Sequence, residues 1–485
     1  MDMVKKIGDT IFNVFYYKVA LMFFLIPTLL VYCVSYNYKL LFVMLGWGAL
    51  ICAYDFIIRR RFVHARGMLW LIAFMVCFAL SVVLNFRTGL NLNVTNWAYT
   101  AIALLVLYPD SFDKTKERNL KELSILNNIF LGMTTVFSTI SLGMYVILYH
   151  EELVFGDQKY VVGWSHNRLF GIYANTGYMI TAIALAIAVI QVAVYKSAGK
   201  KMTPLYKAFI IITSVLNFFS MCLENAKGAF ISLAAFAVFA AFFYCGRALV
   251  KKGWNVVKAN IVSVFAAGLA AVILIGAIYI TRPVLAYVPG IYKDLTTHEQ
   301  TENPDDTEKE DEMEKVEIDR DIPESYGFFT GRTIIWKFGV QEFLEKPIFG
   351  HGPNSHRDVF IVDNYLRHFH NLIVQTLVSV GAVGSIFIFG FFLIAFLFIL
   401  KHLFKQQKEG SPYYAVAVAL FSFLGMLLVN SMAEVTILFI TRFAMFIFWM
   451  YLGYIQMFFD DEKKGKGTLF LEGIDDKLKK VFKQK

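Results

Sequence analysis

The chain has 485 residues, of which 58% are hydrophobic and only 17% are charged, and its formal net charge at pH 7 is +9. A soluble domain would be about half apolar and about a quarter charged, so this composition excludes an ordinary soluble protein. The apolar excess lies in runs of roughly 17–25 residues, the length that a helix needs to cross ~30 Å of hydrocarbon. We therefore predict an all-α polytopic membrane protein. Basic cytoplasmic loops explain the positive charge better than a nucleic-acid partner does.

Length and polarity predict about twelve transmembrane helices. Nine fall within residues 1–280 and three within residues 371–459. One large extracytoplasmic loop, residues 281–370, separates the two groups, and a basic cytoplasmic tail, residues 460–485, ends the chain. The approximate spans are 19–36, 40–58, 68–85, 97–108, 124–149, 177–195, 208–223, 229–246, 261–280, 371–400, 415–431 and 437–459.

The distribution of Lys and Arg predicts the topology. Alternate connections are rich in basic residues, which are retained on the cytoplasmic side. Both termini are then cytoplasmic, and the loop 281–370 lies outside. The predicted location is the cytoplasmic membrane, crossed several times, with any site in this loop facing outward.

Two parts of the large loop differ in character. Residues 294–324 are acidic and polar, and this composition predicts a mobile segment more readily than a metal site. In residues 327–345, apolar and polar side chains alternate at helical spacing around Trp336, and Pro347 ends the run. This pattern predicts an amphipathic helix lying on the outer membrane surface.

Cationic and imidazole side chains gather just before the tenth span. They are Arg332, His351, His356, Arg357, Arg367, His368 and His370. Such a concentration at the mouth of a helix is expected to handle an anion. His370 comes immediately before the apolar run, where the helix N-terminus disfavours imidazolium. A neutral imidazole there could accept a proton from a substrate hydroxyl; the alternative is a polar residue marking the membrane boundary.

Four cations come from four separate outer connections or span ends. They are Arg168, Lys227, Arg332 and Arg442. They could converge on one anionic group, and guanidinium suits phosphate because it offers paired donors and stays charged. Arg442 lies within a span, where a charge is costly and usually functional. The alternative is that these cations pair with outer acids, such as Glu434 for Arg442.

Several chemistries find no support in the sequence. It contains no phosphate-cradling GxxxxGK[ST] and no HExxH. No outer pair of carboxylates is firmly placed to hold a divalent ion. We therefore predict metal-independent chemistry without a cofactor, in which cationic side chains do what a metal would do.

At four places the chain resembles the O-antigen ligase and O-antigen polymerase (Wzy-type) superfamily of bacterial membrane glycosyltransferases. The matching stretches are GRTIIWKFGVQEFLEKPIFGHGPNS, HNLIVQTLVSVGAVG, RLFGIYANTG and ENAKGAF. The family's characteristic positions fall on Arg332, Trp336, Pro347, Gly350, Gly352, His370, Asn371, Gln375, Gly381, Gly384, Arg168, Gly171 and Asn175. Two departures stand out. Lys227 replaces the usual Arg, which keeps the charge and loses bidentate geometry, and Ser379 replaces a common Glu.

The resemblance implies a GT-C-like helical fold with an active site at the outer face. It implies a sugar chain carried on undecaprenyl pyrophosphate as the donor. Arg168, Lys227, Arg332 and Arg442 would hold the pyrophosphate, with Arg332 also assisting catalysis, and His370 would be the general base. Direct displacement predicts inversion at the anomeric carbon, with no nucleotide and no metal.

The resemblance leaves the acceptor open. The first reading is a polysaccharide polymerase that elongates capsule, exopolysaccharide or O-antigen on the next lipid-linked repeat unit. The alternative is a ligase that moves the finished glycan to lipid A-core or another acceptor. Expected partners are membrane lipid and the flippase and chain-length regulator of the same pathway. A transporter of lipid-linked oligosaccharide is a third reading, but the charges cluster at the outer rim and no internal repeat is evident.

Overall fold

A computed structural model describes most of the chain and all of the apolar helices. The described residues are 10–25, 27–59, 65–155, 158–174, 179–298, 315–318, 332–355, 360–361, 364–365, 368–439 and 443–459. The predicted basic tail 460–485 lies outside them. So does the predicted mobile segment 294–324, apart from residues 294–298 and 315–318.

Helices make up most of the described structure. They are α1 (Val14–Leu25), α2 (Val34–Tyr54), α3 (Met68–Leu84), α4 (Leu90–Ile102), α5 (Lys116–Val146), α6 (Ile180–Ser197), α7 (Pro204–Glu224), α8 (Lys227–Lys251), α9 (Val256–Leu285), α10 (Val288–His298), α11 (Arg332–Glu345), α12 (Leu372–Glu409), α13 (Tyr414–Ser431) and α14 (Phe443–Met457). Short 3₁₀- or π-helical segments adjoin some of them. These are Pro27–Leu29, Val31–Cys33, Asp55–Arg59, Ala103–Leu107 and Pro109–Asp113.

The predicted class, an all-α polytopic membrane protein, is confirmed. Each of the twelve predicted spans overlaps a described helix, although the boundaries differ at several of them. Among the described residues, nine helical segments are long and apolar enough to cross a membrane, while α1, α3 and α14 are apolar but shorter. The number of crossings and the GT-C-like arrangement stay predictions.

The centre of the bundle is formed by α13 and α14. All of α14 is buried, as is most of α13. Helices that are apolar on every side belong in the interior of a bundle. In contrast, α9 exposes apolar side chains such as Phe265 (74%) and Ile280 (72%), as expected of a helix whose outer face meets lipid.

The structure corrects the sequence-based boundaries near the first span. The predicted helix 19–36 instead ends at Leu25, and two short turns follow from Pro27. Proline lacks the amide proton that a continuing helix needs. The turns pair with the chain after residue 171: Val31 N donates to Ile172 O (3.0 Å), and Ala174 N donates to Leu29 O (2.7 Å).

The connection between α5 and α6 contains a sheet that the all-α prediction did not include. Strands β1 (His150–Phe155), β2 (Gln158–Ser165) and β3 (Arg168–Gly171) form an antiparallel meander. A second, two-residue pair, β4 (Phe360–Ile361) and β5 (Asn364–Tyr365), lies in the large loop. Helices also enter this loop, because α9 continues to Leu285 and α10 follows it.

Residues Arg332–Glu345 of the predicted surface helix 327–345 form α11, and its place on the membrane surface stays a prediction. It is packed against the start of α12. Phe338 stacks on Phe369 with ring centroids 6.3 Å apart, and Gly339 lies so close that a Cβ would overlap Val374. The position of α11 is therefore fixed by its packing against α12.

The glycine-rich segment after α11 docks into a break in α12. Gly381, inside α12, has φ 66° and ψ −172°, so the helical hydrogen bonds are interrupted there. The segment replaces them. His351 N and Gly352 N donate to the carbonyls of Val378 (2.8 Å) and Ser379 (3.0 Å), and Ala382 N donates to Pro347 O (2.7 Å). The two glycine-containing motifs thus form one interlocked unit.

A buried network of charges lies around the start of α5. Lys18 and Asp110 form an ion pair of 2.7 Å with side chains 0% and 1% exposed. Lys114 also pairs with Asp110, and it lies 2.6 Å from Glu122. Lys18 Nζ further donates to Tyr454 OH (3.1 Å). The network joins α1, the turn before α5, α5 itself and α14.

We expect Lys18→Met to lower the free energy of unfolding by about 3–5 kcal/mol, since removing one partner leaves a buried charge poorly compensated. Thermal unfolding of the detergent-solubilised protein measures the loss. Lys201→Met is the matched control, because Lys201 is exposed outside the helices and the change of charge is the same. Equal melting temperatures for the two variants would contradict a stabilising role for the network.

Candidate active site

Glu434 is the centre of the candidate active site. Arg332 Nη2 donates to its Oε1 at 2.9 Å, and His370 Nδ1 lies 3.0 Å from the same oxygen. His368 Nε2 lies 3.7 Å from Oε2. The carboxylate thus joins the start of α11, the start of α12 and the chain just after α13. Its side chain is 17% exposed, and that of His370 is 30% exposed, so a substrate can reach the imidazole.

The backbone around His370 is held in an uncommon conformation. His370 has φ 50°, which is strained for a residue other than glycine. Phe369 N donates to Gln375 Oε1 (3.0 Å), and His370 N donates to His368 Nδ1 (3.2 Å). Strain that the surroundings maintain in this way is typical of functional positions.

Asn371 fixes the start of α12 and links it to Glu434. Its Oδ1 accepts from the amides of Ile373 (2.9 Å) and Val374 (3.1 Å), which caps the helix. Its Nδ2 donates to Met432 O (3.0 Å), two residues before Glu434. Gln375 and Asn371, which the family resemblance marks as characteristic, therefore act here by placing His370.

These contacts determine which nitrogen of His370 is available. An ionised carboxylate only accepts hydrogen bonds, so the nitrogen facing Glu434, Nδ1, carries the proton. Nε2 is then the unprotonated nitrogen and can accept a proton from a substrate. The Glu434 carboxylate would stabilise the imidazolium that results. The arrangement therefore suits a general base with an orienting carboxylate.

His368, His370 and Glu434 are also residue types that hold divalent metals. One ligand atom from each lies within 4.8 Å of the others. The guanidinium of Arg332, however, contacts the same Glu434 oxygen as His370. A divalent cation placed there would be repelled by Arg332 at short range. The geometry favours the hydrogen-bonded arrangement over a metal centre.

Arg168 lies in a second cluster, around Glu224 at the end of α7. Arg168 is 9% exposed and interacts electrostatically with the Glu224 carboxylate. Thr181 Oγ1 donates to Glu224 Oε2 (3.0 Å). Burial, and then the charge of Glu224, raise the pKa of Tyr173 above its usual value, so its hydroxyl stays protonated. Arg168 thus lies within electrostatic range of Glu224, at the end of α7.

Lys227 opens α8, three residues after Glu224. Its side chain is exposed, and within the described part of the chain no ion pair involves it. Ala226, the N-cap residue, supplies no side-chain acceptor for the first amides of α8. Uncapped amides at a helix N-terminus attract anions. Lys227 is therefore well placed for the anion-binding role that the sequence predicts.

The structure does not bring all the predicted residues into one contact group. It joins Arg332 to His370 through Glu434, and it places Arg168 and Lys227 at the neighbouring α7–α8 turn. Arg442 and Asn175 lie outside the described residues, as do His356, Arg357 and Arg367. His351 Nε2 lies 2.8 Å from Glu342 O, so its ring connects the glycine-rich segment to α11.

Two residues of the site were missed by the sequence reasoning. Glu434 was considered only as a partner for Arg442, and His368 was left without a role. The His-x-His spacing ahead of an N-capping Asn was a usable signal for His368. Glu434 had a weaker signal, as an acid one turn beyond the predicted span 415–431.

A family model described as O-antigen ligase matches residues 212–389. The matched range contains Lys227, Arg332 and His370, whereas Arg168 and Glu434 lie outside it. No curated protein matches the chain. Three of the four motif stretches identified in the sequence lie inside the matched range, so the match supports the resemblance to the O-antigen ligase and O-antigen polymerase superfamily.

Proposed function

We propose that this protein is a polysaccharide polymerase of the cytoplasmic membrane. It would transfer a growing glycan from undecaprenyl pyrophosphate to the next lipid-linked repeat unit, at the outer face of the membrane. The observation that carries the proposal is the His370–Glu434–Arg332 group at the start of α12. The family match supports glycosyltransferase-like ligase or polymerase activity in general.

In the proposed reaction, Nε2 of His370 takes the proton from an acceptor sugar hydroxyl. The acceptor oxygen attacks the anomeric carbon of the donor while the bond from that carbon to the pyrophosphate oxygen breaks. The lipid pyrophosphate leaves with the electron pair, and attack from the opposite face inverts the anomeric centre. Glu434 stabilises the imidazolium, which then releases its proton to solvent.

Cationic groups would stabilise the charge that builds on the leaving pyrophosphate. Lys227 and the uncapped amides at the start of α8 are the best supported contacts, because Lys227 is exposed and its helix end attracts anions. We propose that Arg332, with a side chain 27% exposed, contacts the pyrophosphate from its place on Glu434. Arg168 and Arg442 remain proposed contacts on the strength of the family resemblance.

The proposed chemistry needs no divalent metal, and we expect activity in purified membranes to survive EDTA with less than about a twofold loss. The physical reason is that positive side chains would supply the charge stabilisation that a metal supplies elsewhere. Polymer formation from lipid-linked repeat units is measured with and without chelator. Loss of activity that added Mg²⁺ or Zn²⁺ restores would overturn this part of the proposal.

A ligase that transfers the finished glycan to lipid A-core or another acceptor is the second candidate, favoured by the description of the matching family. Glycan analysis of a deletion strain distinguishes the two. Loss of a polymerase leaves single repeat units attached to their final acceptor. Loss of a ligase leaves long polymer on the lipid carrier. An unchanged glycan profile would contradict both.

A further inference from the structure

Asn430 is a buried polar residue that the proposed mechanism does not use. Its side chain is 2% exposed, near the end of α13. Its Oδ1 has no hydrogen-bond partner within the part of the chain that the structure describes. A buried acceptor without a hydrogen-bond partner has lost its hydrogen bonds to water and gained none from the protein, which costs free energy. Such atoms are therefore rare in folded proteins, and each one calls for an explanation.

Asn430 lies close to both Glu434 and the turn that carries Lys227. It precedes Glu434 by one helical turn, and Glu434 N donates to its backbone carbonyl (2.8 Å). On the other side it faces the first turn of α8, where a Cβ built on Gly228 would lie 3.6 Å from Nδ2 of Asn430. Asn430 thus stands between the carboxylate that orients His370 and the turn that carries Lys227.

The turn leaves room beside Gly228, because among the described residues only Nδ2 of Asn430 lies within 4 Å of the position that its Cβ would take. Gly228 has no side chain, and Lys227 beside it is exposed. A glycan bound with its pyrophosphate at Lys227 and its anomeric carbon near His370 would have its first sugar between these residues. An asparagine side chain offers one acceptor and two donors, which match the hydroxyl and amide groups of a sugar.

We propose that Asn430 binds the sugar attached directly to the lipid pyrophosphate, with Oδ1 accepting a hydrogen bond from a hydroxyl or acetamido N–H of that sugar. This inference rests on the proposed function, because it assumes a lipid-linked glycan donor. It assigns Asn430 to recognition of the sugar, whereas Lys227 contacts the pyrophosphate.

Two probes separate sugar recognition from pyrophosphate binding. One is undecaprenyl pyrophosphate itself, and the other is the lipid-linked oligosaccharide extracted from a strain that lacks this protein. Binding of each to the full chain in nanodiscs is compared for the wild type, Asn430→Ala and Asn430→Leu. The Leu variant keeps the branching and the number of side-chain heavy atoms and suits an apolar helix, so it guards against misfolding of the Ala variant.

We expect both variants to bind the lipid-linked oligosaccharide about 10-fold more weakly, the effect of losing one hydrogen bond, and to bind undecaprenyl pyrophosphate as the wild type does. Lys227→Met should weaken both probes. Ser422→Ala, two turns earlier on α13, is the matched control, because it removes only a hydrogen bond within the helix, to Val418 O.

The outcomes separate this inference from the proposed function. Equal weakening of both probes by the Asn430 variants would indicate a structural role, and unchanged binding would show that Oδ1 meets no sugar group; either result overturns the inference while leaving the proposed donor intact. If the wild-type protein binds neither probe, both the inference and the proposed function are wrong.

Discussion

Replacing His370 with Ala is expected to abolish glycan transfer, with a loss of at least about 100-fold, because a positioned general base contributes roughly 10²–10⁴-fold to such a reaction. Nε2 of His370 is the nitrogen left unprotonated by the contact of Nδ1 with Glu434. Without it, the acceptor hydroxyl would have to attack while keeping its proton. Polymer formation in membranes is measured against the amount of inserted protein.

The control for this experiment is His150→Ala, which removes an exposed imidazole at the start of β1. Glu434→Gln gives a sharper test of the geometry. It keeps the size of the side chain and removes the charge that orients His370 and pairs with Arg332, so we expect a loss of roughly 10²-fold. Near-normal polymer from the His370 variant in well-inserted protein would remove the base assignment.

Replacing Gly381 with Ala is expected to have a large effect on both stability and activity. The φ and ψ of Gly381 are essentially restricted to glycine. A Cβ there would also overlap the carbonyl of Ile348 in the docked segment. We expect a loss of more than about 3 kcal/mol in the free energy of unfolding, and a loss of activity, because α11 and Arg332 precede the same segment in the chain.

Thermal unfolding in detergent measures this effect. Gly276→Ala in α9 is the matched control, since no atom lies within 4 Å of the position that its Cβ would take. A glycine-to-alanine change inside an unobstructed helix should be neutral or stabilising by about 0.5–1 kcal/mol. If the Gly381 variant unfolds at the same temperature as the Gly276 variant, the interlocking of the two motifs does not support the fold.

The family motifs gain a physical interpretation from this arrangement. Gly350 and Gly381 lie where two backbones approach closely at the break in α12, Gly352 lies against the side chain of Asn93, and all three have positive φ. Asn371 and Gln375 are the hydrogen-bonding groups that hold the start of α12. Ser379, where the family often has Glu, is fully buried, and its hydroxyl accepts from Gln375.

The sequence by itself determined the class of the protein and the approximate positions of its helices along the chain. A helix that crosses a membrane requires a long apolar run, and such runs can be recognised directly in the sequence. It also pointed to Arg332 and His370, since cations and imidazoles at a helix mouth are conspicuous in an apolar chain. The sheet between α5 and α6 was harder to predict from the sequence, because short strands such as β3 contain too few residues for an alternating pattern to be evident.

Tertiary structure alone decided which charges meet. Glu434 follows His370 by 64 residues, and Lys18 precedes Asp110 by 92, yet each pair is within 3.0 Å. No local pattern encodes such contacts, because they depend on how separate helices pack. The same holds for Arg168, which the sequence assigned to the anion and the structure places beside Glu224. In a membrane bundle, a buried charge is stable only beside its partner, and only the packed fold shows which partner that is.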